Sequence, residues 1–267
     1  MKRHESLRRH DRIVGLSCLA VALFAWVGCL SLTPIQAMHK VELKPSGAAG
    51  EYQADPIDGS VAYVHEGLRL KVQHMTTEQL DAQVPGEENP FVFRQIDYDQ
   101  GYVPQRFTVF QVTLSNPTFD KVLAEPDHVY LVTDRGKILR PYALTRADAS
   151  GDPRNFETYW LSRGVQSGNA QKIYLERMAV LRGSIYQPNS FVFKGNSYAG
   201  KMAFDPLPVD TKEVVLHIDH LVLEFGIYDV PKMETDLEFP FAVDSQIVEK
   251  IVGQTAGQNV GGGPAEN

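Results

Sequence analysis

The chain has 267 residues, 43% of them hydrophobic and 10% aromatic, which is enough to bury the core of a folded domain. Its formal net charge is −7, and because five basic and two acidic residues precede Cys29, the part after it stands at −10. Such a surface repels polyanions, which excludes nucleic acid as an expected partner and excludes electrostatic docking on anionic lipid.

The N-terminus opens with Lys2, Arg3, Arg8, Arg9 and Arg12 against only Glu5 and Asp11, and an uncharged apolar run over residues 13–32 follows. That order is an export signature. A run of this length lies between a cleaved signal peptide and an uncleaved anchor helix, so its end decides between them. Trp26, Val27, Gly28 and Cys29 resemble the lipobox of bacterial lipoproteins, with a small residue directly before the cysteine and Trp26 where that family usually has a branched aliphatic residue. The resemblance implies a signal peptide over residues 1–28 and lipid modification of Cys29. Cys18, after Gly15, Leu16 and Ser17, fits less well, and Arg8 and Arg9 lack the follow-up of a twin-arginine signal. Cleavage after Ala37, with Ile35 two residues earlier, is the soluble periplasmic alternative. Cys18 and Cys29 are the only cysteines, so the remaining chain has no disulfide, thiol nucleophile or thiolate metal site. A lipoprotein cysteine carries several acyl chains, and more than one is what stable anchoring takes. The expected location is therefore the bacterial cell envelope, facing the periplasm or exterior, with the bilayer a partner through the N-terminus.

Residues 29–58 hold Pro34, Pro45, Gly47, Gly50 and Pro56 with little periodicity and read as a tether. Period-two alternation then begins with Leu68, Leu70 and Val72 against Arg69, Lys71 and Gln73, and Phe110, Val112 and Leu114 repeat it. Asn116, Pro117 and Thr118 close that strand, since proline cannot continue a ladder. Residues 128–133 are apolar on both parities, a short buried strand, and Asp134, Arg135, Gly136 and Lys137 turn it into a hairpin with 138–142. Further strands are expected at 190–193, 201–204, 213–225 and 238–243. Between them, Asp152 followed by Pro153 is an expected helix cap, with Phe156, Tyr159 and Trp160 at helical spacing and an end near Gly164. A second helix runs from Asn169 to Arg182, with Tyr174, Met178, Leu181 and Ile185 on one stripe and Gly183 at its C-terminal cap. The sequence thus predicts a mainly β fold over 59–250, an immunoglobulin-like β-sandwich with a helical insertion at about 147–187, preceded by the N-terminal signal or anchor helix. The glycine-rich segment 251–267 has too few apolar residues to pack, and disorder is expected there.

Few residues invite chemistry. His217, Asp219 and His220 are possible metal ligands, but positions three apart on a regular strand face opposite sides, so solvated histidines are the simpler reading. His65, His74 and His128 are scattered, and no serine sits in a GxSxG elbow, so no catalytic residue is assigned. The loop from Asp148 to Asp152 has two carboxylates around a glycine but lacks the further acidic positions of a calcium loop, and helix capping accounts for it. No metal or cofactor is expected. Tyr159, Trp160 and Tyr174, with Phe156 and Tyr186, gather on the insertion. They form a possible binding surface for a glycan, peptide or lipid, although packing of the insertion onto the sheets would place the same residues there.

The run FQVTLSNPTFDKV at 110–122, YLVTDRGKILRPY at 130–142 and GNSYAGKMAFDPLP at 195–208 resemble a recurrent immunoglobulin-like module of bacterial lipoproteins. Its marks are a strand ending in an Asn turn, a hairpin with D-x-G-K and an edge with G-x-x-x-F. The resemblance implies the fold and transfers no catalytic residue. The expected function is a non-enzymatic, membrane-tethered binding or envelope-assembly domain with a glycan or envelope protein as partner. The rivals are a periplasmic hydrolase or metal-dependent enzyme assembled from distant residues, and a small-ligand receptor marked by an aromatic cleft beside Trp160.

Overall fold

The structure, a computed structural model, describes residues 35–251 apart from 48–49, 93, 149–153 and 166–167. The expected signal or anchor segment with Cys29, and residues 252–267 of the expected tail, lie outside the described residues. What is described falls almost wholly within one unit, Ala37–Glu249.

In chain order the described elements are β1 (Ile35–Pro45), β2 (Tyr52–Asp55), β3 (Ser60–His65), β4 (Leu68–Met75), α1 (Thr77–Gln83), β5 (Thr108–Asn116), β6 (Lys121–Val122), β7 (Val129–Thr133) and β8 (Ile138–Leu139). They continue with α2 (Phe156–Leu161), α3 (Asn169–Ser184), β9 (Val192–Phe193), β10 (Asn196–Phe204), β11 (Glu213–Phe225) and β12 (Pro231–Ile251). The fold is mainly β, with antiparallel sheets. One five-stranded sheet runs β1-β12-β11-β7-β8 and the other β10-β5-β4-β3-β2, while β6 and β9 pair separately.

Alternation explains why the two sheets share a core. Leu68, Leu70 and Val72 of β4 and Phe110, Val112 and Leu114 of β5 are fully buried, and they join one cluster with Val214, Leu216 and Ile218 of β11 and Leu237, Phe239 and Phe241 of β12. Each such side chain contributes roughly 1.5–3 kcal/mol relative to exposure. The Asn turn is part of this framework. Buried Asn116 donates from Nδ2 to the carbonyls of Phe119 and Val192, both at 2.8 Å, and accepts the Phe119 N–H at 2.9 Å.

Several sequence expectations change. The tether at 29–58 contains β1 and β2, with Val41 and Leu43 buried in the core. Pro45 ends a strand there rather than marking a linker. Residues 129–133 alternate instead of burying both faces: Val129, Leu131 and Thr133 point inward, and Tyr130 and Val132 are half-buried. The helix expected from Asp152 starts at Phe156, because Asn155 accepts the Thr158 N–H at 2.8 Å and caps it; Asp152 and Pro153 lie outside the described residues. Gly183 lies inside α3, which closes on Ile185. The last strand begins at Pro231 and runs well past 238–243. Helix α1 was not expected at all; it is held by a capping box in which Thr76 and Gln79 bond each other's backbone N–H.

Candidate functional site

The helices of the insertion build a second core of their own. Phe156 and Trp160 of α2, and Met178 and Leu181 of α3 with Ile185 beyond it, pack with Leu80 of α1, Phe91, Phe107 and Val109. Rings interlock within it: Phe107 lies 4.8 Å from Tyr159 and 5.3 Å from Phe156, and Tyr159 meets Trp160 edge-on at 5.0 Å. The backbone ties the insertion to the loop after β8 at one end and to β10 at the other. The Phe156 N–H donates to the Ala143 carbonyl at 3.0 Å, and the Tyr186 N–H donates to that of Lys201 at 2.9 Å.

A cleft of about 600 Å³ opens where α2 and α3 meet the segment after α1. That volume lies within the range of small-molecule sites, roughly 300–1,000 Å³. Buried Asn89 shapes one wall: its Nδ2 donates to the carbonyls of Leu80 at 3.0 Å and Val84 at 2.9 Å, and its Oδ1 accepts the Phe91 N–H. This fixes the loop that carries Glu87. Trp160 and Tyr174 form part of the opposite wall.

Four arginines line the same cleft, Arg94, Arg106, Arg163 and Arg177, and Glu87 is the one carboxylate among its described lining residues. The Arg177 guanidinium lies 4.1 Å from the centre of the Trp160 ring and donates from Nε to the Glu87 carbonyl at 2.8 Å. Burial draws its pKa below the ordinary arginine value. Arg163 lies 3.5 Å over the Tyr159 ring and donates to that residue's carbonyl at 2.7 Å. Arg94 pairs with Asp81 at 2.8 Å.

No family model, no curated protein and no solved structure matches the chain.

Of the three aromatic residues that sequence singled out, Trp160 and Tyr174 line the cleft, and Tyr159 stands behind it as the support of Arg163. Trp160 is only 2% exposed, so its ring serves mainly as packing and as a platform for Arg177. Sequence reasoning missed the arginines, which lie on different elements and form no local run.

The histidines do not converge on this cleft. His74 is buried between the sheets, and His65 bonds Glu51 at 2.9 Å. His217 stacks on Tyr130 at 4.8 Å, and His128 meets His220 at 5.0 Å, all on the outer side of β7 and β11. His217 and His220 face the same side, contrary to the regular-strand expectation. The register slips between Ile218 and Leu221, and His220 adopts φ 54°, so a bulge supplies the extra residue that turns it outward. Each imidazole still has its own carboxylate, His220 with Glu234 at 2.8 Å and His217 with Glu238 at 3.7 Å. Among the described residues no group of three or more His, Cys, Asp or Glu could hold a metal ion. Asp148 accepts from the Thr145 hydroxyl at 2.7 Å and its N–H at 3.1 Å, which closes a turn; the rest of the possible calcium loop lies outside the described residues. No described helix is long and apolar enough to cross a membrane.

Proposed function

We propose that the chain is a membrane-tethered, non-enzymatic binding protein of the bacterial envelope whose ligand site is the cleft beside Trp160. The observation that carries this reading is the composition of the cleft. It offers aromatic, apolar and arginine side chains in a space of ligand size, with Glu87 as the one carboxylate among its described lining residues. In layers, the reading is an immunoglobulin-like sandwich with a helical insertion; two five-stranded antiparallel sheets around one core support it, with a strand order of their own.

The tether proposed is a lipid on Cys29. The position of β1 favours it over cleavage after Ala37, which would cut within the strand and remove the Ala37 carbonyl that accepts the Val103 N–H at 2.9 Å. Cys29 lies before β1 and leaves it whole. Mass spectrometry of the processed N-terminus tests the reading. A diacylglyceryl adduct on Cys29 that Cys29→Ser abolishes is the expected result, and a free N-terminus at Met38 would overturn it.

A further inference from the structure

We propose that the cleft beside Trp160 is a receptor site for a small polyanion, a compact organic molecule carrying at least two phosphate or carboxylate groups. The inference rests on the binding-protein reading above and adds the chemistry of the ligand.

Charge distribution is the first argument. The chain carries a net −7, yet four of the ten arginines after Cys29 line this one cleft. The carboxylates near them include Glu87 in the wall, Glu88, which also acts on Arg177, and Asp81 on Arg94. The acidic remainder of the surface repels long polyanions, while the cleft presents a confined positive site. Net composition therefore excludes a nucleic-acid strand and leaves a small anion admissible.

The second argument is preorganisation. A free arginine side chain gives up about 2 kcal/mol of rotamer entropy when a ligand fixes it. Here Arg177 and Arg163 are already fixed, each by an aromatic face and a backbone carbonyl, and Glu87 and Glu88 act on Arg177 only through space. Arg177 uses Nε for Glu87, so its two terminal nitrogens keep the fork geometry that matches an oxyanion. The lining contains arginines and no lysine, as planar bidentate recognition favours.

Size is the third argument. About 600 Å³ exceeds what one phosphate needs, and Val165, Ile173 and Tyr174 supply an apolar wall for an organic body. Several guanidiniums in one cleft match several anionic groups on one ligand.

Isothermal titration of the full chain in nonionic detergent tests this with pyrophosphate and citrate as probes, acetate as the monoanion and maltose as the neutral control. Binding of pyrophosphate, citrate or both, with acetate and maltose inactive, is expected, and the preferred probe distinguishes a phosphate from a carboxylate source. Arg177→Ala and Arg163→Ala should each weaken binding about 10–100-fold, the value of a charge-assisted hydrogen bond. Arg177→Lys keeps the charge and should still lose affinity at an unchanged melting temperature. Trp160 is the one tryptophan after Cys29, so in the processed protein its fluorescence should follow the titration. Binding of neither polyanion, or binding that all three arginine variants retain, would overturn the proposal. Maltose binding that displaces Trp160 emission, with both polyanions inactive, would overturn the ligand class and leave the binding-protein reading standing.

Discussion

A Cβ on Gly200 would stand 2.5 Å from the Cα and 2.6 Å from the backbone nitrogen of Tyr186. The approach arises because the chain leaving α3 lies across β10, with Ile185 bridging to Lys201 and the Tyr186 N–H donating to the Lys201 carbonyl. Backbone meets backbone, so no side-chain rotation relieves an added methyl.

Gly200→Ala should therefore destabilise the domain by about 3 kcal/mol, at the upper end of overpacking costs. Gly183 provides the contrast. It lies within exposed α3 with no atom within 4 Å of a built Cβ, and Gly183→Ala should stabilise by about 0.5–1 kcal/mol through helix propensity. Urea denaturation of the two variants measures both signs.

Asn116 closes β5 by bonding two carbonyls and one N–H from the loop and from β9. Alanine there leaves buried polar groups unsatisfied, at a cost of about 3 kcal/mol. Asn116→Asp keeps the acceptor but neither donor, so it should not restore stability. Equal denaturation midpoints for wild type and Asn116→Ala would show that water replaces these bonds.

Asn116 was legible as a turn because its bonds to Phe119 are local, whereas Gly200 lies inside β10 and its constraint comes from the distant backbone of Tyr186. The alternating strands were legible because their pattern is local too. Strand β1 was not, although His39, Val41 and Leu43 are buried in alternation, because Pro34 and Pro45 flank it and made the segment resemble a linker. Thr76 and Gln79 carry a capping-box signal for α1, in a short segment directly after the alternation of β4. The cleft was only half visible. Trp160 and Tyr174 stood out by type and spacing, whereas Arg94, Arg106, Arg163 and Arg177 come together only through packing of the insertion. The bulge at Asp219 and His220 leaves no mark in a period-two pattern, yet it decides where His220 points.

His220 follows from that bulge. Its hydrogen bond to Glu234 raises its pKa above the ordinary histidine value, desolvation works against the rise, and Glu234, Asp236 and Asp219 add attraction for the proton. The raised pKa makes the pair stabilising below pH 6.5, and the contribution disappears as pH rises through the folded-state value. NMR titration of the ring should show a midpoint above 6.5 that falls in Glu234→Gln. An identical midpoint in the variant would remove Glu234 as the cause.

His74 has the opposite sign. It belongs to β4, and its Nδ1 accepts the Leu43 N–H of β1 at 3.4 Å, across the two sheets. Its ring stands edge-on to Phe110 at 5.7 Å, and Nε2 finds no partner among the described residues. Burial lowers its pKa from 6.5 to about 4, since a proton would place an unpaired charge in the core. The unfolded chain takes up that proton near pH 6.5 and the folded one does not. Stability is therefore full above pH 6.5 and falls as pH drops toward 4, by about 3 kcal/mol in total from this one group. His74→Gln preserves an acceptor for Leu43 without titrating. Urea midpoints measured from pH 7.5 to 4.5 should decline more steeply for wild type than for the variant, and the two curves should converge on the acid side relative to their separation at pH 7.5. Parallel curves would mean that His74 is protonated in the folded domain, with a hydrogen-bond acceptor reaching Nε2.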